Sequence, residues 1–513
     1  QGRAMAFVDS FTNGTDWADE VTALDRLEKI TKEQVVAWAQ KNLGAENYVA
    51  VYKREGEDKN QKKIEKPHIT PIAANRDVAS GFLTEIQQSE VKPIAPQFLD
   101  FEKDMSIART GSDIEVLYKR NETNDLFRLI YCWDFGTEND PALSVMSEYL
   151  TYLGTDAHSQ EELARAFYDL ACDFRVITTL ERTYVLISGL GENMQAAMRL
   201  AEEALQRSVG DDEILAELKR DLIKARNDAK LDQSANFRAL YNYVRFGSEW
   251  VKACTLTDEQ LLALDSDDLL AKLRGLNDIE HRILYYGPLS EKQLIAELDE
   301  NHRVGENLKV VEKAHYPMQP TPSDRVVLAQ YDAKQIYYIQ CTNLGIPFST
   351  DNDALVALYN AYFGGGMNAI VFQEMREARA LAYSAWAELR EGTTGKDPYS
   401  YSAFIATQND KMRSAIEAFD EIIENLPRSE AAFNLAKQQL MGNLESQRTT
   451  KEDILWAYIN AREKGVDCDR DRQLYETLKS LTLDDVVALQ QERVKNRPYN
   501  YVILGDRNDI DME

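Results

Sequence analysis

One short segment recurs three times along this chain, and this repetition limits the possible folds more than any other feature. Each copy opens on a residue that can cap a helix (Thr31, Asp265 and Thr482), continues as a short amphipathic helix, and ends in an apolar run, NYVAVY, RILYYG or NYVILG. Side-chain oxygens that accept from free N–H groups start helices, and short apolar runs form strands. The repeat therefore predicts a helix followed by a strand in all three places.

The copies lie roughly 220 residues apart, which is the size of a domain rather than of a solenoid repeat. The starts of two units also match, because LFRLIYCWDFG begins at Leu126 and QIYYIQCTNLG begins at Gln335. Each predicts a strand, an acidic turn and a helix that ends at glycine. The first copy has no such start before it. We therefore expect two whole units preceded by the tail of a third, with an N-terminal portion missing.

This repetition divides the sequence into five predicted parts. Residues 1–54 are expected to be the tail of a preceding domain, and residues 99–303 and 325–513 are expected to be two complete domains. The stretches 55–98 and 304–324 are enriched in Pro, Lys and Glu, which predicts linkers. Strands alternate with longer helices in each unit. We expect an α+β fold of tandem homologous α/β sandwich domains, each a mostly antiparallel sheet covered by helices.

The composition of the chain argues against several classes of protein function. Apolar residues make up 44% and charged residues 28% of the 513 residues, as in globular domains. No apolar run approaches the 18 or so residues of a membrane span. The net charge of −27 repels phosphate backbones, so we expect no nucleic-acid partner. The five scattered cysteines lack a CxxC pair, which argues against a disulfide framework and a cysteine metal site.

The glycines in FGGGMNAIVFQEMREARALAYSAW suggest a phosphate-binding loop, but the pattern does not fit one. Met367 and Asn368 follow Gly364, Gly365 and Gly366, where a Walker loop requires GxxxxGK[ST] and a dinucleotide loop requires a third spaced glycine. The structural interpretation is that glycine ends one helix and Asn368 caps the next.

Motifs for metal binding or nucleophilic catalysis are absent from the sequence. None of the five histidines lies in an H-x-x-E-H or H-E-x-x-H pattern, although a zinc site requires three ligands and an open position. Neither G-x-S-x-G nor a family-like cysteine motif is present. We therefore expect no metal to be bound by this chain.

Alignment of the two whole units reveals a polar substitution. Without gaps, Phe167 of the first unit falls over Arg376 of the second, and Phe174 falls over Tyr383. A seven-residue spacing would place both side chains on one face if the helix continued. Arg and Tyr can grip and polarise a carbonyl or an oxyanion. A surface ion pair beside an amphipathic tyrosine would explain the same residues equally well.

The segment FGGGMNAIVFQEMREARALAYSAWAEL resembles the C-terminal motif of the pitrilysin/insulinase family (peptidase family M16) of zinc metallopeptidases. The resemblance extends in pattern over nearly the whole chain. It implies the LuxS/MPP-like metallohydrolase fold, with four homologous domains joined as two halves that close like a clamshell around peptides. This chain would comprise the tail of domain 2, the linker, domain 3 and domain 4.

The resemblance also implies roles for individual residues. The family's zinc motif, H-x-x-E-H, lies in domain 1, which is absent here. Val145, Glu148 and Tyr149 of domain 3 stand at the degenerate zinc-motif positions, so domain 3 is expected to be inactive. Arg376 and Tyr383 match the family's Arg and Tyr, which bind the substrate and the developing oxyanion from across the chamber.

The implied function is that of a non-catalytic C-terminal half of a zinc metalloendopeptidase. Zinc would be bound in the full-length enzyme and not by this chain. The partners would be peptide substrates and an N-terminal catalytic half, on the same polypeptide or on a partner subunit. The alternative is an inactive binding or assembly subunit of the same fold. Ala382 stands where many members carry glycine. Cytoplasmic and bacterial periplasmic locations both stay open.

Overall fold

The computed structural model describes residues 2–44, 48–54, 56, 80–90 and 92–510. The chain divides into two compact units, Gln1–Thr70 and Pro71–Glu513. The described residues of the smaller unit form four helices, α1 (Gly2–Asn13), α2 (Trp17–Val21), α3 (Ala23–Leu27) and α4 (Lys32–Asn42).

The end of the smaller unit differs from the sequence prediction. Helix α4 begins as predicted, with a capping box in which Thr31 accepts from the backbone of Gln34. Residues 48–54, however, form no strand, and Val49 and Val51 are exposed. A strand needs a hydrogen-bonded neighbour, and the described part of this unit contains no other strand. The prediction of a strand in NYVAVY is therefore wrong for this unit.

In the part of the larger unit that the structure describes, two sheets follow one another along the chain. The strands of the first sheet are β1 (Ser106–Arg109), β2 (Glu115–Arg120), β3 (Leu126–Trp133), β4 (Cys172–Thr178), β5 (Thr183–Leu190) and β6 (Arg282–Gly287). The helices of this part are α5 (Gly81–Gln88), α6 (Phe101–Asp104), α7 (Ala142–Leu150), α8 (Gln160–Asp169), α9 (Met194–Arg207), α10 (Asp212–Ala229), α11 (Gln233–Cys254), α12 (Asp258–Ala263), α13 (Ser266–Gly275) and α14 (Glu291–Asn301).

The second sheet repeats this arrangement. Its strands are β7 (Arg325–Gln330), β8 (Gln335–Pro347), β9 (Ser384–Arg390), β10 (Pro398–Gln408) and β11 (Asn500–Gly505). Its helices are α15 (Thr350–Tyr359), α16 (Ile370–Phe372), α17 (Met412–Glu424), α18 (Glu430–Ser446), α19 (Asp453–Glu463), α20 (Arg470–Ser480) and α21 (Leu483–Leu489).

The strand orders show that the two sheets are copies of one topology. The first sheet runs β1-β2-β6-β3-β5-β4, and the second runs β7-β11-β8-β10-β9. In both, the last strand of the unit lies between a parallel neighbour and an antiparallel one, and the other pairs are antiparallel. The α+β prediction of tandem sandwich domains with mostly antiparallel sheets is confirmed. The edge strands β4 and β9 are equivalent.

The helix before the last strand of each complete unit begins at a capping residue. Asp265 caps α13, and Thr482 forms a capping box at α21, both as predicted. The helix in each case ends shortly before β6 or β11. These strands lie inside their sheets and are buried on both faces, which accounts for their continuous apolar sequences.

The outer face of each sheet is covered by a helix from the other domain. Leu455 of α19 packs in one buried cluster with Leu117, Ile130 and Leu284 of the first sheet. Conversely, the cluster on the second sheet contains residues of α11 together with Ile339, Val502 and Leu504, and its helical members are Phe237 and Val244. The two domains are therefore joined by a reciprocal exchange of covering helices.

Candidate functional site

Arg376 and Tyr383 lie on either side of a turn that leads into the edge strand β9. Helix α16 continues as a π-helical turn, Gln373–Ala378, in which the Arg379 N–H donates to the Glu374 carbonyl at 3.2 Å. Such wide turns occur often at functional sites. The helix ends at this turn, so Arg376 and Tyr383 do not share a helical face as their spacing suggested. The turn nevertheless brings them together.

Arg376 is held between two aromatic rings. Its guanidinium carbon lies 4.9 Å from the centre of the Phe372 ring and 5.0 Å from the centre of the Tyr383 ring. A cation over an aromatic face is attracted by the ring quadrupole, so the two rings orient the guanidinium. Tyr383 is 80% exposed. The Arg376 Nε atom is 3.6 Å from a Glu377 carboxylate oxygen, and both side chains are partly exposed. Ion pairs at the surface contribute little to the stability of the fold.

A neighbouring arginine is engaged differently. Arg379 donates to the Glu421 carboxylate at 2.7 Å and lies 3.5 Å from the Glu374 carboxylate. The hydrogen bond to Glu421 is the main cause that raises the pKa of Arg379. Arg379 therefore anchors the helix, whereas the guanidinium of Arg376 faces aromatic rings and solvent.

The glycine segment positions this turn through close packing. A Cβ atom on Gly364 would lie 1.8 Å from the Ala387 carbonyl oxygen of β9, so the helix can approach the strand only because this residue is glycine. Gly365 ends the helix, and Gly366 has a φ of 110°, which favours glycine. The cap of α16 is Ala369, which makes no side-chain cap hydrogen bond. Asn368 therefore does not cap that helix as predicted.

The turn between Arg376 and Tyr383 contains one residue in the left-handed region. This residue is Ala380, with a φ of 48°, and not Ala382, where the resemblance raised a question about glycine. The Ala380 carbonyl accepts from the Lys411 ammonium at 3.2 Å, and the Leu381 carbonyl accepts from the Thr407 hydroxyl. These contacts hold the turn against β10 and the residue that precedes α17.

The equivalent place in the first domain contains a stacked aromatic pair. The rings of Phe167 and Phe174 are 5.5 Å apart and inclined by 8°. The ungapped alignment paired Phe174 with Tyr383, but the strand registers make Ala385 the counterpart of Phe174, because Phe174 pairs with Ile187 and Ala385 pairs with Ile405. Phe372, which completes the stack on Arg376, was missed. Its position four residues before Arg376 could have indicated it.

The three degenerate zinc-motif residues lie on α7. Val145 is buried in the core, and Glu148 is exposed. Tyr149 is buried, and its hydroxyl donates to the Asp211 carbonyl at 2.8 Å, lies 2.9 Å from the Ser266 hydroxyl, and accepts from the Asp211 N–H at 2.7 Å. Tyr149 therefore ties α7 to the starts of α10 and α13. Among the described residues, no group of three or more His, Cys, Asp or Glu side chains could hold a metal ion.

Comparison with known proteins places this fold in a family. The profile of the family described as "Peptidase M16 inactive domain" matches residues 282–440. This segment of the chain is therefore similar to the M16 peptidase family. The predicted resemblance is thereby confirmed, and the matched segment is of the kind that the family description calls inactive.

Proteins similar to this chain include a zinc protease and M16 peptidases of known structure. An uncharacterized zinc protease of Mycobacterium tuberculosis (strain H37Rv) is 24% identical over 380 residues, which cover 70% of this chain and 82% of that protein. The crystal structure of a peptidase M16 inactive domain from Pseudomonas fluorescens has a TM-score of 0.63 at 16% identity, covering 78% of this chain and 98% of that one.

A longer M16 structure covers more of the chain. The periplasmic protease PqqL from Escherichia coli has a TM-score of 0.64 at 15% identity and covers 94% of this chain but only 52% of its own length. This chain thus corresponds to about half of that protein. In the described residues, no helix has the length and apolar character needed to cross a bilayer.

Proposed function

We propose that this chain is the non-catalytic half of a clamshell zinc metalloendopeptidase and that Arg376 and Tyr383 contribute to its peptide site. The observation that carries the proposal is the stacked, solvent-facing Arg376–Tyr383 pair at the start of an edge strand. A guanidinium fixed between rings is oriented to donate to a peptide carbonyl. The tyrosine hydroxyl is a neutral donor for an oxygen on which charge develops.

The zinc of this reaction would be bound elsewhere. Val145 has no donor atom for a metal, Glu148 faces solvent, and the Tyr149 hydroxyl is engaged by Asp211 and Ser266. These residues do not fit a zinc site. In this proposal, water activation belongs to a catalytic half with an H-x-x-E-H motif, and this chain binds and orients the peptide. Closure of the two halves would exclude water from the site.

The proposal includes the domain layout. Residues 1–54 would be the tail of domain 2, residues 55–98 the linker between halves, residues 99–303 domain 3, and residues 325–513 domain 4, with a short linker at 304–324. The exposed apolar residues of the tail support this assignment, because the matching segments β6 and β11 each lie inside a sheet. Much of the linker at 55–98 lies outside the described residues.

A second candidate function is an inactive binding or assembly subunit. It is favoured by the match to a Pseudomonas fluorescens chain that is itself described as an inactive domain and is covered over 98% of its length. The two functions differ in whether this chain changes the activity of a zinc-bearing partner.

A mixing experiment tests the proposal. This chain, an M16 half from the same source that carries H-x-x-E-H, and an equimolar mixture would be assayed with zinc and quenched fluorescent peptides. We expect cleavage to appear, or to rise sharply, only in the mixture. If the two halves associate on size-exclusion chromatography and activity does not rise, the proposal is wrong and the binding-subunit function stands.

A further inference from the structure

A cavity of about 260 Å³ opens in the first domain between α7, α8 and β4. Its lining is mainly apolar and includes Leu150, Leu163, Phe167, Phe174 and Val176. Pockets that enclose a whole drug-sized ligand measure roughly 300–1,000 Å³. This smaller cavity is therefore suited to a side chain rather than to a complete small molecule.

The cavity follows the free edge of β4. Four consecutive strand residues, Phe174 to Ile177, contribute to its lining. Because successive residues of a strand point to opposite faces, a cavity that all four contact must reach around the edge. In the described part of the chain, β5 is the one strand that pairs with β4. Backbone N–H and C=O groups on the other side of β4 are left to pair with an added strand.

The cavity is the first domain's counterpart of the Arg376–Tyr383 site. Its stacked rings, Phe167 and Phe174, lie between the helix and the edge strand, as Arg376 and Tyr383 do in the second domain, and β4 is equivalent to β9. It is separate from the degenerate zinc positions, because α7 contacts it through Ser147, Leu150 and Thr151, which lie on the opposite face of that helix from Val145 and Tyr149. The same place in the fold thus carries an exposed polar pair in one domain and an apolar cavity in the other.

We propose that this cavity is a peptide-binding site that takes one apolar side chain of an extended segment paired with the free edge of β4. The strand edge supplies backbone hydrogen bonds, and the cavity supplies the preference for an apolar residue, as in other cases of strand addition. The site requires no zinc and no catalytic half, so it stands independently of the proposed function.

The charges on β4 favour a short peptide over a second copy of this chain. Asp173 and Arg175 are exposed on the strand, and the Arg175 Nε atom lies 2.7 Å from an Asp173 carboxylate oxygen. Charged side chains on an edge strand oppose open-ended pairing between sheets. A peptide segment can add beside these charges and place one side chain in the cavity.

Binding of defined peptides to this chain alone tests the proposal. The probe is a fluorescein-labelled nonapeptide of alternating threonine and glutamine with one central phenylalanine, and its partner has alanine at the centre. Fluorescence anisotropy should show at least about 10-fold tighter binding of the phenylalanine peptide, because burial of the ring is favourable. Ala164, which is exposed on α8 and lines the cavity, is changed to Phe to fill it.

Ala164→Phe should remove the 10-fold preference, whereas Ala216→Phe, at an exposed site on α10 outside the cavity, should retain it. Equal binding of the two peptides, or an unchanged preference in Ala164→Phe, overturns the proposal. Methylation of alternate peptide N–H groups should abolish binding, and retained binding overturns strand addition. Hydrogen exchange on the unchanged protein is a second measure, since the peptide should slow exchange at residues 172–178.

Discussion

Arg376 shows how much of a site can depend on two rings and one turn. The alignment of the repeats drew attention to Arg376 and Tyr383, and the structure brings the two side chains into contact. A shared helical face was expected only if the helix continued, and it is not formed because the helix ends at Ala378. The left-handed Ala380 that returns the chain to Arg376 could not be predicted, since alanine carries no sequence signal for a positive φ.

Tyr383→Phe is the most direct test at this scale. In the assembled enzyme of the proposed function, loss of one hydroxyl donor should lower kcat by roughly 10²-fold, because oxyanion donors act mainly in the transition state. Steady-state kinetics with a fluorogenic peptide measure this change. Tyr168→Phe is the matched control, since Tyr168 is 82% exposed and Tyr383 is 80% exposed. Equal kcat values for the two variants would exclude the donor role.

A buried histidine makes stability depend on pH. The Nδ1–H of His281 donates to the Ile279 carbonyl at 2.8 Å, and its Nε2 lies 2.9 Å from Nε2 of His302, whose Nδ1 lies 2.6 Å from a Glu202 carboxylate oxygen. Burial, and next the neighbouring His302, lower the pKa of His281 from 6.5 to about 4. The unfolded chain therefore binds a proton in this range that the folded chain does not.

The free energy of unfolding should consequently fall as pH decreases from 6.5 to 4, by about 3 kcal/mol in total at roughly 1.4 kcal/mol per pH unit. His281→Asn keeps an N–H near the Ile279 carbonyl and removes the titrating group. Urea unfolding between pH 7 and pH 4.5 should show a shallower pH dependence for the variant. Identical slopes for the two proteins would contradict the assignment.

Helices and strands were easier to predict than the contacts between them. Thr31, Asp265 and Thr482 all cap helices, because capping depends on a few neighbouring residues. Residues 48–54 have the same apolar pattern as β6 and β11 but form no strand, because a strand requires a partner that no local pattern supplies. The packing of α11 and α19 on each other's sheets could likewise not be predicted from the sequence, since it depends on contacts between residues far apart in the chain.

Gly364, at the end of the first helix of the second domain, gives a prediction at the scale of elements. Gly364→Ala should destabilise the protein by about 1–3 kcal/mol, because the new methyl group would force the helix away from the Ala387 carbonyl of β9. Gly442→Ala is the control, since a Cβ atom there meets nothing within 4 Å. It lies inside α18 and should stabilise the protein by about 0.5–1 kcal/mol. Chemical denaturation measures both, and equal effects would contradict this account.

At the scale of the whole larger unit, the exchanged helices should hold the two domains together without a covalent link. A protease site inserted between the exposed residues Glu306 and Asn307 would allow the chain to be cut after folding. The two fragments should co-elute on size-exclusion chromatography at micromolar concentration, because each carries a helix buried on the other's sheet. Separation of the fragments would show that these contacts are too weak to join the domains.

A charge placed in the interface between an exchanged helix and its sheet should prevent the cut fragments from staying associated. Leu455→Asp places a carboxylate in a fully buried position and should separate the cut fragments, since an unpaired buried charge is costly. Leu435→Asp introduces the same residue at an exposed position of α18 and should leave them associated.

The exchange also sets the order in which the protein can be completed during synthesis. The first sheet is fully made once Gly287 has been added, but the helix that covers its outer face, Asp453–Glu463, is made much later. At about 5–20 residues per second, the interval is on the order of ten to thirty seconds. A nascent chain of this protein therefore carries an uncovered apolar sheet on the ribosome, and the first domain reaches its final form only when most of the second has been translated.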